Sequence, residues 1–271
     1  MQSFDIFSVT LHDMAKDELF ARLFGLRGLV ITPNPEILLA ARNDDSYRNV
    51  LSQSILAIPD GIATQFAVAA LYDHIGLQRY PGVDLIPMIA SIAEEKHEAL
   101  IFLGGYAKDH AVLIEKFRIT NPTLRVSCID PGMIGDDARI DEKIINNIRL
   151  MGSCIVAIAL GQGKGRLQGK QERIGLEILR TAQNVRLAIG VGGAVDVITE
   201  RVSRGPGTLR QLGFEWAWRV FRDPWRFKRV FRAVIIFPIF IVQDTLRQKR
   251  FFQACSSVAI DLYSHFFRKT V

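Results

Sequence analysis

Apolar and polar positions alternate along the first two thirds of this chain in two different periods. Short β-branched or apolar runs stop at polar or glycine turns, and longer runs at helical spacing follow them. Leu29-Val30-Ile31 stops at two prolines, Pro33 and Pro35, which cannot continue a ladder. Ile55 to Ile58 stops at Pro59-Asp60-Gly61, a turn tripeptide. Between them Ile37, Leu38, Ala41, Tyr47, Val50 and Leu51 carry helix spacing from Glu36 to Leu51. A strand, a helix and a strand are therefore expected, with Thr32, Asn34 and Asp60 at the carboxyl ends of the two strands. In open α/β sheets ligands sit at that edge.

The same reading extends along the chain. A short strand is expected over Phe4 to Val9 and an amphipathic helix over Met14 to Phe24. Helices are expected over Ile62–Tyr72, Leu85–Glu95, Lys108–Ile119, Asp141–Leu150 and Lys170–Thr181. Strands are expected over Ala99–Leu103, Leu124–Ile129, Ser153–Leu160 and Val185–Val191. Gly76 to Asp84 is polar and turn-rich, and its Arg79 is a candidate phosphate or substrate contact. Alternation of this kind predicts an α/β fold, a mainly parallel, Rossmann-like sheet with helices on both faces. Polar and glycine turns recur at the strand ends: Gly104-Gly105, Gly161 to Gly169, and Gly190 to Asp196. None matches a dinucleotide fingerprint or a P-loop.

From Thr199 the pattern changes. Arg201, Arg204, Arg210, Arg219, Arg222, Arg226, Arg229 and Arg232 interleave with Phe214, Trp216, Trp218, Phe221, Trp225, Phe227 and Phe231. Trp218, Phe221 and Trp225 fall on one helical face and Arg222, Arg226 and Arg229 on another. The division is thus 1–198, a catalytic-type α/β body, and 199–271, a basic helical C-terminal appendage. The body is expected to fold without the appendage.

Composition sharpens this division. The net charge of +6 splits into −3 over residues 1–198 and +9 over residues 199–271. A basic, aromatic tail on a near-neutral body suits an anionic partner: nucleic acid, an anionic membrane surface or a phosphate-bearing substrate. With 49% apolar residues in 271, the chain can bury a large core. Its three cysteines, Cys128, Cys154 and Cys255, are far apart and lack metal spacing, which argues for a reducing compartment and against a zinc site. No signal peptide is read at the N-terminus. The most apolar run, Ala233 to Val242, is half of the roughly 20 residues a bilayer crossing needs.

Several short motifs stand in a specific order: Thr32-x-Asn34-Pro35-Glu36, Pro59-Asp60-Gly61, Arg79-x-x-Gly82-x-Asp84-Leu85 and Leu103-Gly104-Gly105. Lys170-Gln171-Glu172, Gly190-x-x-Gly193-x-x-Asp196, Arg204-x-Pro206 and Leu212-Gly213-x-Glu215-Trp216-x-x-Arg219 follow. In that order and spacing, from about residue 5 to 250, the chain resembles the WecG/TagA/CpsF family of bacterial glycosyltransferases. The resemblance implies transfer of an N-acetylmannosamine-type sugar from UDP to a polyprenyl-diphosphate-linked sugar, with inversion. It implies a cytoplasmic enzyme, peripheral on the inner face of the plasma membrane, in cell-surface polysaccharide synthesis. UDP-N-acetylhexosamine would be the donor substrate, with no metal and no other cofactor. Asp60 would be the general base, with Thr32 and Asn34 in the same pocket and Gln171 nearby, and Arg79 would bind substrate. Gly192, Gly193 and Asp196 would hold the nucleotide. Arg219, Arg226 and Arg229 would close over the diphosphate.

The chemistry of an inverting transfer fits these residue types. It needs one base on the acceptor side and charge stabilisation on the leaving side. No D-x-D motif is present, in keeping with metal independence. The sequence departs from the family pattern in two places, mildly at Arg204-Gly205-Pro206, where the family has Arg-Ala-Pro, and more strongly in one turn. The family's tight Gly-x-Pro-Lys-Gln-Glu turn is here opened, with eight residues between Gly161 and Lys170 and no proline. A family member that binds UDP-sugar without turnover is therefore a competing reading. A membrane or nucleic-acid binder acting through its tail is another, although no RNA-binding signature is present and nucleic acid is not the expected partner. The tail helix from Gln243 onward could equally mediate self-association.

Overall fold

The structure is a computed structural model and describes residues 1–132, 134–135, 138–160, 168–202 and 230–267. The elements run β1 (Gln2–Ile6), β2 (Val9–Asp13), α1 (Lys16–Gly25), β3 (Gly28–Ile31), α2 (Pro35–Asn43), α3 (Asp45–Leu51), β4 (Leu56–Ala57) and α4 (Ile62–Tyr72). They continue with α5 (Gly82–Glu95), β5 (Ala99–Gly104), α6 (His110–Thr120), β6 (Arg125–Ile129), α7 (Glu142–Leu150), β7 (Cys154–Ala159), α8 (Lys170–Thr181), β8 (Val185–Gly190) and α9 (Ala194–Ile198). After a π-helical turn at Arg232–Ile236 come α10 (Phe237–Arg247) and α11 (Phe251–Phe267).

Six strands form one parallel sheet in the order β4-β3-β8-β7-β5-β6. Side chains of a strand alternate between faces, and the core divides accordingly. Leu29 and Ile31 enter the layer of α2, α3, α4, α7 and α8, while Val30 enters that of α1, α5, α6 and α9. β5 and β7 are buried at every position, as strands covered on both faces must be. The expected α/β, parallel, two-face arrangement is the one found.

At the amino edge of the sheet, opposite the strand ends that matter below, Arg186 and Glu98 form a buried ion pair. Arg186 Nε lies 2.7 and 2.8 Å from the two Glu98 oxygens, and Nη1 donates to the Leu23 and Leu26 carbonyls. These bonds tie the end of α1 to the sheet.

Three local expectations change. The single strand over Phe4 to Val9 is a hairpin instead, because Phe7 and Ser8 both take positive φ (52° and 62°) and turn the chain back. That turn is ordinarily signalled by Asn-Gly, and here nothing signals it. The helix over Glu36 to Leu51 is two helices, broken at Asp44. Asp44 is extended, and its side chain accepts from the Tyr47 N–H at 3.0 Å to cap α3. The strand over Ile55 to Ile58 shrinks to Leu56–Ala57, an edge strand whose Ala57 N–H is taken by His12 Nδ1 at 3.0 Å.

Ala233 to Val242 packs on the body. α10 buries Phe237 and Ile241, and α10 and α11 lie across α4, a helix apolar nearly all round. Phe7 of the hairpin meets Phe237 and Phe240 edge-on, and the Arg42 guanidinium sits 3.8 Å from the Phe240 ring centre. The other side of α10 and of the turn before it faces outward: Phe231, Ile235, Ile239, Val242 and Leu246 form an exposed apolar stripe at helical spacing. Among the described residues no helix is long and apolar enough to cross a membrane.

Candidate active site

The carboxyl ends of three adjacent strands, β4, β3 and β8, bring the motif residues together. The chain leaves β3 through Thr32, whose hydroxyl donates to the Gly190 carbonyl at the end of β8, 3.3 Å away. It then enters α2 through Asn34, whose Oδ1 accepts from the N–H groups of Glu36 and Ile37, both at 3.0 Å. Pro35 occupies the first helical position, where a missing N–H costs nothing. Asn34 is thus an N-cap as well as a candidate pocket residue.

Asp60 sits between the ends of these strands and the start of α4. Its N–H donates to the Pro33 carbonyl at 2.9 Å, and its own carbonyl accepts the Thr64 hydroxyl at 2.8 Å. Gly61 follows with φ of 84°, a conformation that favours glycine and turns the chain into α4. The Tyr80 N–H donates to the Pro59 carbonyl, which draws the Gln78 to Gly82 loop over the same edge. A Cβ on Gly82 would come within 3.0 Å of the Val191 carbonyl, so that loop also touches the turn after β8.

Arg79 lies in this loop. Its Nε donates to Gln65 Oε1 at 2.8 Å. Burial pulls its pKa below the ordinary arginine value, and the carboxylates of Asp60 and Asp261 oppose that fall. The arginine stays a cation, in the field of two carboxylates.

The turn after β8 is fixed from below. Gln171, buried at the start of α8, accepts the Gly192 N–H on its Oε1 at 2.9 Å. Its neighbour Glu172 is also buried and hydrogen-bonds the Tyr47 hydroxyl, whose pKa is pushed up by burial first and by that carboxylate next. Gly169, which opens α8, has no room for a side chain, since a Cβ would overlap the Tyr47 ring. Further along, Asp196 pairs with Arg201 at 2.6 Å. Arg201 also reaches Asp109 at 3.1 Å and stacks 3.4 Å from the centre of the Tyr106 ring. This cluster joins the turn after β5, with Gly104 and Gly105 both at positive φ, to the turn after β8.

Thr32, Asn34, Asp60, Arg79, Gln171 and Gly192 are therefore gathered at one sheet edge, with Gly193 and Asp196 beyond them on the turn into α9. Arg219, Arg226 and Arg229, the Arg204 and Leu212 motifs, and most of the opened Gly161 to Gly169 loop lie outside the described residues. The sequence reading missed Thr64, Gln65 and Asp261. Their one sequence signal is polarity out of place, a Thr-Gln pair in the apolar run Ile62 to Leu71 and a lone acid in α11. Among the described residues no three His, Cys, Asp or Glu side chains stand together as a metal-holding group.

The model of the glycosyl transferase WecG/TagA/CpsF family matches residues 4–251. The chain belongs to that family. This makes it a glycosyltransferase. Among curated members it is similar to an N-acetylglucosaminyldiphosphoundecaprenol N-acetyl-beta-D-mannosaminyltransferase of Bacillus subtilis (strain 168). They are 27% identical over 225 residues, covering 83% of this chain and 82% of the relative. The identically named protein of Bacillus spizizenii is 26% identical over 201 residues, 74% of each chain. For a WecG/TagA/CpsF member, the parallel sheet and the polar residues at its carboxyl edge supply the expected kind of site.

Proposed function

We propose that this glycosyltransferase moves an N-acetylmannosamine-type sugar from a UDP-sugar onto a polyprenyl-diphosphate-linked sugar, with inversion and without a metal, in the synthesis of a cell-surface polysaccharide. The observation that carries the reading is the meeting of Asp60, Arg79 and the glycine turn of β8 at one edge of the sheet. The names of the two Bacillus relatives support the acceptor class and the sugar.

In this reading Asp60 takes the proton of the acceptor hydroxyl as its oxygen attacks the anomeric carbon from the face opposite the diphosphate. The bond from that carbon to the UDP oxygen breaks, and its electron pair leaves on the diphosphate. Arg79 and the tail arginines Arg219, Arg226 and Arg229 meet that charge, the work that a metal does elsewhere. Thr32 and Asn34 border the reacting sugar, and Gln171 holds the turn of Gly192 and Gly193 in the shape that receives the nucleotide. Asp196 is the polar contact to the nucleoside.

The lipid-linked acceptor brings the enzyme to a membrane surface. Two features of the tail favour peripheral attachment on an anionic face: the net charge of +9 over residues 199–271 and the exposed stripe of α10. The deciding experiment is a UDP-release assay with a panel of UDP-N-acetylhexosamines and a short-chain polyprenyl-diphosphate sugar, with and without EDTA. Acceptor-dependent release that survives EDTA is expected. Release that stops with EDTA and returns with a divalent cation would overturn the metal-free mechanism. UDP binding without release from any donor would favour a member that has lost turnover.

A further inference from the structure

Helix α11 begins where the family match ends, at residue 251. It runs antiparallel to α4 and meets it with a polar ridge. Ser257 Oγ donates to Asp73 Oδ1 at 2.6 Å, just past the end of α4. One turn further on, Asp261 accepts from Gln65 Nε2 at 2.9 Å, two turns back along α4. The side chain of Asp261 is wholly buried, and its other oxygen accepts the Gly76 N–H at 2.7 Å. Gly76 has φ of 81° and opens the loop that carries Arg79.

A buried carboxylate is a costly way to dock a helix, and here its partners lead to the site. A carboxylate only accepts, so it takes the NH2 side of the Gln65 amide and leaves the carbonyl side facing the other way. That carbonyl oxygen is the acceptor of Arg79 Nε, at 2.8 Å. Without Asp261 the amide could turn over and set its own N–H groups against the Arg79 N–H. The same carboxylate ties the loop three residues upstream of Arg79. Both restraints act on one guanidinium, which lies under the charges of Asp60 and Asp261 together.

We infer that Asp261 is a positioning residue. Through Gln65 and Gly76 it fixes Arg79 beside Asp60, so that α11, and not the α/β body alone, completes the site. This rests on the roles given to Asp60 and Arg79 above.

The test uses the full chain and the variants D261N, S257A, R79Q and D261N/R79Q, each checked for folding by its thermal transition. D261N puts an NH2 in place of one of the two acceptor oxygens, so its amide cannot serve both donors. S257A loosens the same helix without touching Gln65. Positioning through Arg79 predicts that D261N lowers kcat/KM by about tenfold or more, that S257A stays within about twofold, and that D261N adds little to R79Q. Equal losses in S257A and D261N, or a D261N loss undiminished in R79Q, would show a purely structural role and overturn the inference. A second readout does not depend on turnover. The Arg79 Nε–H resonance, identified by its absence in R79Q, should exchange slowly with water in the wild type. It should exchange about tenfold faster in D261N and as in the wild type in S257A. If the wild type turns over no donor, the transferase reading fails while this exchange rate still decides the geometry. Unchanged exchange in D261N would then sink the inference.

Discussion

At the scale of the residue, the edge of the sheet asks single side chains to hold the fold and serve the site at once. Asp60→Asn keeps size and loses the base, and should lower kcat by about 10²–10⁴ while leaving UDP affinity unchanged, as read by calorimetry. Asn34 is the more instructive case. Asn34→Ala removes the α2 cap and should cost about 1 kcal/mol in a denaturant titration. Asn34→Asp keeps an acceptor for the Glu36 and Ile37 N–H groups, so stability should hold while transfer falls. A variant that kept full activity would assign Asn34 to the cap alone. His12 offers a pH test. Burial lowers its pKa, and its Nδ1 lone pair is used by the Ala57 N–H, so the native ring is neutral. Below its unfolded pKa of about 6.5 the unfolded chain takes up a proton that the native state takes up only at lower pH. His12 therefore withdraws stability as pH falls through that value. The denaturation midpoint of His12→Gln should drop less between pH 7 and 5 than that of the wild type. At this scale the sequence names the motif residues but not how they are held. Asn34 before Pro35 and Glu36 is a helix-start signal that the strand-end reading passes over, and nothing near Asp196 announces Arg201 as its partner.

At the scale of the element, strand and helix types were legible wherever an apolar or periodic run was long, as in Ile62–Tyr72 and Lys170–Thr181, whose bounds match the sequence expectation. They failed where a turn used unusual residues. Phe7 and Ser8 take left-handed conformations that cost a non-glycine residue about 1 kcal/mol, and Phe7 is kept because its ring packs on Phe237 and Phe240. Only tertiary contact explains that turn, so no local pattern reveals it. The amino edge gives a clean stability prediction. Glu98→Ala leaves Arg186 buried without its carboxylate and should cost about 3–5 kcal/mol in a denaturant titration, with kcat per folded molecule unchanged, since the pair lies across the sheet from Asp60. The tail helices give another. The sequence division lets residues 1–198 fold alone, but α10 and α11 cover α4, whose Val68, Ala70 and Leu71 belong to the main core. A chain cut after residue 229 should therefore bind a hydrophobic dye and melt well below the full chain.

At the scale of the whole molecule, basic charge and a continuous apolar stripe fall in the same part of the chain. The body is slightly acidic, the tail is strongly basic, and the exposed stripe of α10 belongs to the tail. The protein should sediment with vesicles containing anionic lipid, less with zwitterionic ones, and less again as salt rises, because the charge term is screened. Ile239→Glu with Leu246→Glu should reduce sedimentation by about tenfold without altering the thermal transition. Undiminished binding would remove the stripe from the contact. The charge asymmetry was plain in the sequence. Which face of α10 stays exposed was not, because that depends on how Phe237 and Ile241 seat against α4.

The polar ridge of α11 bears on how the protein is made. Synthesis proceeds from the amino end, and structure forms behind the ribosome as chain emerges. The sheet, Asp60 and the Arg79 loop are all translated before Asp261. On a growing chain the amide of Gln65 has no carboxylate to orient it, and one flank of α4 stays uncovered. The nascent protein can thus hold a nearly finished body that is not yet a working enzyme. The side chain that sets the arginine in place is translated after every strand of the sheet, which ties the onset of activity to the arrival of α11.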